Sequence, residues 1–254
     1  MLGAILRRLR KRSEDERRYS VPDGLRVYAI GDVHGCLDEL ERVLEKIDND
    51  LAGRDVRSHM VFLGDLVDRG PNSAGVIERV LHQALPTHDA RVLMGNHEEI
   101  MLKCYDGDTE SYAHWLQFGG LETIESYGIT RRDLFDRSYD LARAMRAMIP
   151  STHIDFIRSF EDHVTIGDYL FVHAGIRPGR SLNEQTTRDL RWIRSGFLES
   201  KEDHGFMVVH GHTIIQTAER HRNRIAVDTG CYLTGRLSAV AIEGNHVDVL
   251  TVSS

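Results

Sequence analysis

The 254-residue chain has no run of apolar residues long enough to span a bilayer, which takes about 20 in succession, so it is not read as an integral membrane protein. A disulfide framework is lacking too. The three cysteines, Cys36, Cys104 and Cys231, are odd in number and far apart, which suits a reducing compartment. The opening stretch MLGAILRRLRKRSEDERRYS is basic but has no long apolar core behind its charges, so it does not read as a secretory signal, and a cytoplasmic location is expected. Internal repeats and low-complexity segments are absent. The apolar fraction of 41% is ordinary for a chain with a substantial core, and one domain over 21–254 is expected behind a basic tail of 1–20.

Basic charge is scarce outside that tail. Residues 1–20 hold seven Lys/Arg against three Asp/Glu, leaving 25 basic and 36 acidic residues elsewhere, so the tail carries about +4 and the body about −11. An acidic body argues against a nucleic-acid groove, whose affinity comes mostly from Lys and Arg on phosphates. It leaves a phosphate substrate open, because bound divalent ions can dominate the potential inside a pocket. In the tail, Leu2, Ile5, Leu6 and Leu9 recur at helical spacing between arginines. That pattern suits an amphipathic helix on an anionic membrane or a partner, with a solvated, frayed terminus as the plainer reading.

From Arg26 onward the pattern is regular: RVYAIG as a strand, a helix over 37–49, HMVFLG as a strand, a helix over 73–84, and ARVLMG as a strand. This β-α-β-α-β order of short apolar runs ending in glycine predicts parallel strands covered on both faces, with ligand-binding loops at their carboxyl ends. Residues 98–160 read as a helical insertion containing Trp115, the Gly119-Gly120 pair and a Met-rich stretch broken by Pro150. Short strands follow at HVTIG, YLFVH, FMVVH and RIAVDTG, with a helix over 184–192 and a terminal hairpin of LSAVAIEG and HVDVLTV.

Five segments carry the chemistry: GDVHG (31–35), GDLVDRG (64–70), GNHE (95–98), HAG (173–175) and HGHT (210–213). Four of them begin at or just after a predicted strand end. Their Asp, Asn and His side chains are oxygen and imidazole donors suited to Mn, Fe or Zn, and the adjacent glycines let the backbone turn tightly. Singly, each is a common turn tripeptide, as the decoy Gly244-Asn245-His246 shows. In this order, from about Arg26 to Gly235, they resemble the signature of the phosphoprotein phosphatases within the calcineurin-like metallophosphoesterases. The stretch GGLETIESYG (119–128) is similar to bacterial members.

The resemblance implies a four-layer α/β (α+β) fold of two facing mixed β-sheets flanked by helices. It implies two divalent cations, manganese first, with iron or zinc accepted. Asp32 and His34 would hold one, Asn96, His173 and His212 the other, and Asp65 would bridge them. His97 would be the general acid, oriented by Asp68, and Arg69, Asn96 and Arg194 would bind the phosphoryl group. Water would be the direct attacker, since two such cations can clamp a phosphoryl group and generate a nucleophile near neutral pH, and no cysteine or serine nucleophile is needed. Arg191 competes with Arg194 and His210 with His212; the family's G-H-T form favours His212. The other nine histidines have no assigned role. Asp228 reads equally as a site neighbour or a turn residue, Cys231 as a loop residue open to oxidation, and Trp115 with Tyr112 as insertion core.

GDLVDRG and GNHE favour a serine/threonine protein phosphatase acting on phosphorylated proteins. The alternative is a dinucleoside polyphosphate hydrolase, which shares the motifs but needs a base-stacking aromatic and basic residues along a polyphosphate track. An inactive phospho-binding scaffold would lack a ligand or the acid, and a metallo-nuclease is opposed by the acidic body.

Overall fold

The computed structural model describes residues 19–84, 89–132, 134 and 140–254. The amphipathic reading of Leu2–Leu9 therefore lies outside the described residues. Two five-stranded sheets form the centre. In the first, β1 (Leu25–Ile30), β2 (Arg57–Phe62) and β3 (Ala90–Val92) run parallel, and the antiparallel hairpin of β9 (Arg236–Glu243) and β10 (His246–Ser253) pairs with β1 to give the order β10-β9-β1-β2-β3. The second has the order β4-β5-β6-β8-β7, built from β4 (His163–Ile166), β5 (Tyr169–Val172), β6 (Met207–His210), β7 (Glu219–Arg220) and β8 (Arg224–Ala226). Its β5, β6 and β8 are parallel and its two edges antiparallel, so both sheets are mixed, as expected.

Alternation along each strand sets the layers. On β1, Val27 and Ala29 face the second sheet and pack with Val61, Phe171 and Val209, whereas Tyr28 and Ile30 face the helices. Helices α1 (Leu37–Leu51) and α2 (Ser73–Arg79) cover that outer face; α1 buries Leu40, Val43, Leu44 and Ile47 at helical spacing. On the far side, Leu170, Val172 and Val208 pack against Leu190 and Ile193 at the α8 helix (Thr187–Trp192). The result is the four-layer arrangement of helix, sheet, sheet and helix.

The predicted insertion is helical and includes α3 (Asn96–Asp106), α4 (Tyr112–Trp115), α5 (Leu121–Ser126), α6 (Leu141–Met148) and α7 (Ser151–Arg158). It joins the outer-helix core through Trp115, Ile124, Met145 and Ile157 and returns to the first sheet, where Leu93 bridges Glu161. Three boundaries differ from the sequence reading. The helix expected to 84 changes at Val80 into a wider π-type turn, Val80–Ala84. The helix expected from 184 begins at Thr187, because Thr186 and Asp189 cap it reciprocally. The RIAVDTG strand ends at Ala226, where the chain turns past Asp228, whose carboxylate accepts the Gly230 N–H at 2.8 Å.

Candidate active site

The parallel strands of both sheets deliver their following loops to one end of the molecule. Six non-glycine residues among those described have positive φ: His34, Asp65, Asp68, Arg69, Asp89 and His212. Five of the six are residues singled out from the motifs. Such backbone costs about 1–3 kcal/mol per residue and persists where the surroundings over-determine it, which is how active sites are built. Here the buried Glu98 carboxylate does much of that work, accepting the N–H groups of Asp65, Leu66, Val67 and Gly95 at 2.7–3.1 Å.

Asp32, His34, Asp65, Asn96, His173 and His212 are all buried and converge. Oδ2 of Asp65 lies 3.4 Å from His173 Nε2 and 3.7 Å from His34 Nε2, so this carboxylate belongs to both halves of the cluster. His34 and His173 each give Nδ1–H to a backbone carbonyl, Val67 O and Leu63 O, both at 2.8 Å. That leaves their Nε2 lone pairs facing the carboxylate, the arrangement of metal-binding imidazoles. His173 Nε2 also lies 3.1 Å from Asn96 Oδ1 and 3.2 Å from His212 Nδ1, while His212 Nε2 is buried with no hydrogen-bond partner. A crowd of acceptors with an orphaned nitrogen fits divalent cations. Asp32 is turned to the His212 N–H at 3.0 Å, and burial beside Asp228 and Asp65 pushes its carboxyl well above the usual range. His210 packs its ring against Phe197.

His97 sits at the first turn of α3 with Nδ1 2.6 Å from Asp68 Oδ2. Burial lowers its pKa, but the charges of Asp65 and Asp68 outweigh that and hold it above the ordinary imidazole value. Asp68 is itself held: Trp115 Nε1–H donates to its carboxylate at 2.9 Å and Thr123 Oγ1 at 2.6 Å. His97 also falls within ligand distance of His34 and Asp65, so geometry alone leaves it in reach of a cation.

With this geometry, the profile of the calcineurin-like phosphoesterases matches residues 25–250. The chain belongs to that family. Among similar proteins are the asymmetrical bis(5'-nucleosyl)-tetraphosphatase PrpE of Bacillus subtilis, 28% identical over 82% of this chain and 87% of that one, and the symmetrical bis(5'-nucleosyl)-tetraphosphatase of Legionella pneumophila, 26% identical over 85% and 93%. Among solved structures, a protein assigned as a diadenosine tetraphosphatase matches with a TM-score of 0.61 and 20% identity over 92% of this chain and 98% of that one. A serine/threonine phosphatase from Saccharomyces cerevisiae matches with a TM-score of 0.52 and 15% identity over 95% and 86%. At these identities the structural likenesses speak for the fold alone.

In this calcineurin-like phosphoesterase a cleft of about 290 Å³ opens beside the cluster, lined by Arg69, Asn96, His97, Ile100, His114, Trp115, Phe118, Trp192, Arg194 and His212. Arg69 donates to His34 Nε2 and His97 Nε2, both at 2.9 Å, so a guanidinium cation occupies the pole of both rings in this structure. Arg194 is exposed and gives one hydrogen bond, to His212 O at 3.2 Å, whereas its competitor Arg191 is tied to Glu99 and Asp162. Several residues escaped the sequence reading. Trp115, assigned to insertion core, is buried but also holds Asp68. Phe118, 49% exposed, stands on the cleft wall against His114. Tyr232 packs its ring 5.3 Å from His34 and 4.7 Å from the Arg69 guanidinium. The Gly119-Gly120 pair was a usable signal: a Cβ at Gly119 would meet Arg69 at 2.6 Å and one at Gly120 would meet the Trp115 indole at 2.4 Å.

Proposed function

We propose that this phosphoesterase hydrolyses dinucleoside polyphosphates, of which diadenosine tetraphosphate is the test case. One observation carries the reading: a half-exposed aromatic side chain, Phe118, stands on the wall of the same small cleft that holds Arg69, His97 and Arg194. A base needs an aromatic face to stack on, and the phosphates need guanidinium groups beside it. A phosphorylated polypeptide needs an open groove instead. The named activity of the tetraphosphatases to which the chain is similar supports the same choice. Hydrolysis of phosphoserine or phosphothreonine, the reading favoured from GDLVDRG and GNHE, is the second reading, since both activities are served by those motifs.

Two divalent cations, one on Asp32 and His34, the other on Asn96, His173 and His212, with Asp65 shared, would supply charge neutralisation at the phosphoryl oxygens and activation of the attacking water. The chain's own side chains do the rest. Arg69 swings from the imidazoles to the phosphoryl oxygens, and Arg194, which lines the same cleft, meets them as well. Once Arg69 has left it, His97 Nε2 takes a proton from water, favoured by the Asp65 and Asp68 charges, and passes it to the bridging oxygen of the departing nucleotide while Asp68 accepts from Nδ1–H. Trp115 and Thr123 keep Asp68 in place.

The test is kcat/KM for the manganese-loaded protein on diadenosine tetraphosphate and on a phosphothreonine peptide, with His97→Asn as the control for contaminating activity. A preference for the dinucleotide of about tenfold or more is expected, because a stacked base is worth about 1–3 kcal/mol. A comparable preference for the peptide would overturn the reading.

A further inference from the structure

Two of the three cysteines meet outside the site just described. Cys36 directly follows GDVHG and precedes α1, and Cys231 directly follows VDTG and begins the short helix α9 (Cys231–Thr234). Both are buried and unoxidised, and the Cys36 thiol lies 3.5 Å from His34 O, to which it donates. Glu39, in the first turn of α1 and half-buried, faces the same point: its carboxylate and the two sulfurs lie within 4.8 Å of one another. Cys36 gives no capping hydrogen bond to α1, and among the described residues Glu39 has no arginine, lysine or histidine partner. A half-buried carboxylate with no cationic partner, set beside two sulfurs, is a donor set that a divalent cation would satisfy.

We propose that Cys36, Glu39 and Cys231 form a third metal site, separate from the Asp/His/Asn cluster and selective for a thiophilic dication such as zinc. The donor set argues for the class of ion. Two sulfurs and a carboxylate are typical zinc ligands, and bonds of about 2.0–2.3 Å reach all three after small side-chain adjustments. The oxygen and imidazole donors of the main cluster accept manganese, which thiolates do not favour, so the two sites differ in softness and can be filled by different metals. Three protein ligands leave a fourth position on the ion, and Glu39 lies on the solvent side, which gives an entry path. A disulfide between the same sulfurs would leave the Glu39 carboxylate with no role.

The site has a structural consequence for the cleft. An ion here ties the first turn of α1, just after His34, to the first residue of α9, whose second residue is Tyr232. Tyr232 is the ring under the Arg69 guanidinium, so the ion fixes the platform on which Arg69 rests.

The test reads ligation rather than activity. The full-length reduced protein is stripped with a chelator and titrated with cobalt(II), whose thiolate charge-transfer absorption in the near ultraviolet arises only from cysteine ligands. The expected result is a band that saturates at one cobalt per chain and is bleached by zinc. It survives in Cys104→Ser and is lost in Cys36→Ser and in Cys231→Ser. Glu39→Gln, at a half-exposed position that does not threaten folding, moves the midpoint to higher cobalt by at least the ~10–100-fold that changes around zinc ligands cost. The absence of a thiolate band in the native protein, while cobalt binds at the main cluster, overturns the proposal. So does a band that persists in both buried cysteine variants.

Discussion

Strand β1 ends in two unlike places, and the contrast separates what holds the fold from what performs the chemistry. At its amino end the buried Arg26 guanidinium meets Asp50 at 2.6 Å, Asp248 at 3.0 Å and Glu243 at 3.1 Å, with the Tyr28 hydroxyl at 3.1 Å. Every charge there has an opposite partner and the backbone is ordinary. At its carboxyl end the chain runs into GDVHG, where carboxylates crowd one another, His212 keeps an unpaired nitrogen and five residues are held at positive φ. The same sheet supports both. One end pairs its charges on ordinary backbone; the other concentrates unfavourable groups that a substrate and cations would relieve.

If that division holds, the largest effect belongs to His97→Asn. Turnover should fall by about two to four orders of magnitude, the usual worth of a general acid, while the melting temperature hardly moves. Full activity in that variant would remove the residue from its role. Arg26→Ala should do the reverse. Glu243 and Asp248 are partly exposed, so the cost is expected to fall below the ~3–5 kcal/mol of a fully buried pair, read as a lower urea midpoint with kcat per folded molecule unchanged. A matching loss of kcat would show that the two ends are not independent.

Trp115→Phe keeps the ring and deletes the N–H that holds Asp68. A hydrogen bond to a charged group is worth about 1.5–3 kcal/mol, and the loss is expected in kcat and in the pH profile rather than in KM. An effect confined to stability would return Trp115 to the core role it was given from the sequence. The smallest effect is a gain. The Asp32 carboxyl is raised in the fold by burial, then by Asp228 and Asp65, so the metal-free fold holds its proton more tightly than the unfolded chain does. Stability of the metal-free protein then falls as pH climbs above 3.8 toward the raised value, and Asp32→Asn removes that loss. The variant should be more stable by about 1 kcal/mol at neutral pH without metal, and weaker in cation binding. Metal-free stability that is unchanged or lower in Asp32→Asn would contradict this account of the carboxyl end.

The contrast also explains what could be read in advance. Asp32, His34, Asp65, Asn96, His173 and His212 were legible because donor chemistry is carried by residue type and the strand ends are marked by apolar runs closing on glycine. The covering of β1 on both faces was legible for the same reason, although which residue faces which core was not. Trp115, Thr123, Phe118 and Tyr232 were not, because they reach the site from distant segments and are residue types that packing uses everywhere. Gly119 hinted at a close approach without naming Arg69 as its partner. Glu98 was visible in GNHE, but its bonds to four N–H groups depend on the turn it organises. Substrate class was the least legible, since the motifs describe the phosphoryl end of the reaction and the choice lies in the cleft wall.

That wall is therefore the place to measure. The ratio of kcat/KM for diadenosine tetraphosphate to that for p-nitrophenyl phosphate, compared between the native protein and Phe118→Ala, isolates the base from the phosphoryl chemistry. The ratio should fall by about 5–100-fold, the equivalent of about 1–3 kcal/mol of stacking, with p-nitrophenyl phosphate turnover unaffected. An unchanged ratio would mean that no base rests on Phe118, and the dinucleotide reading would lose the observation on which it stands.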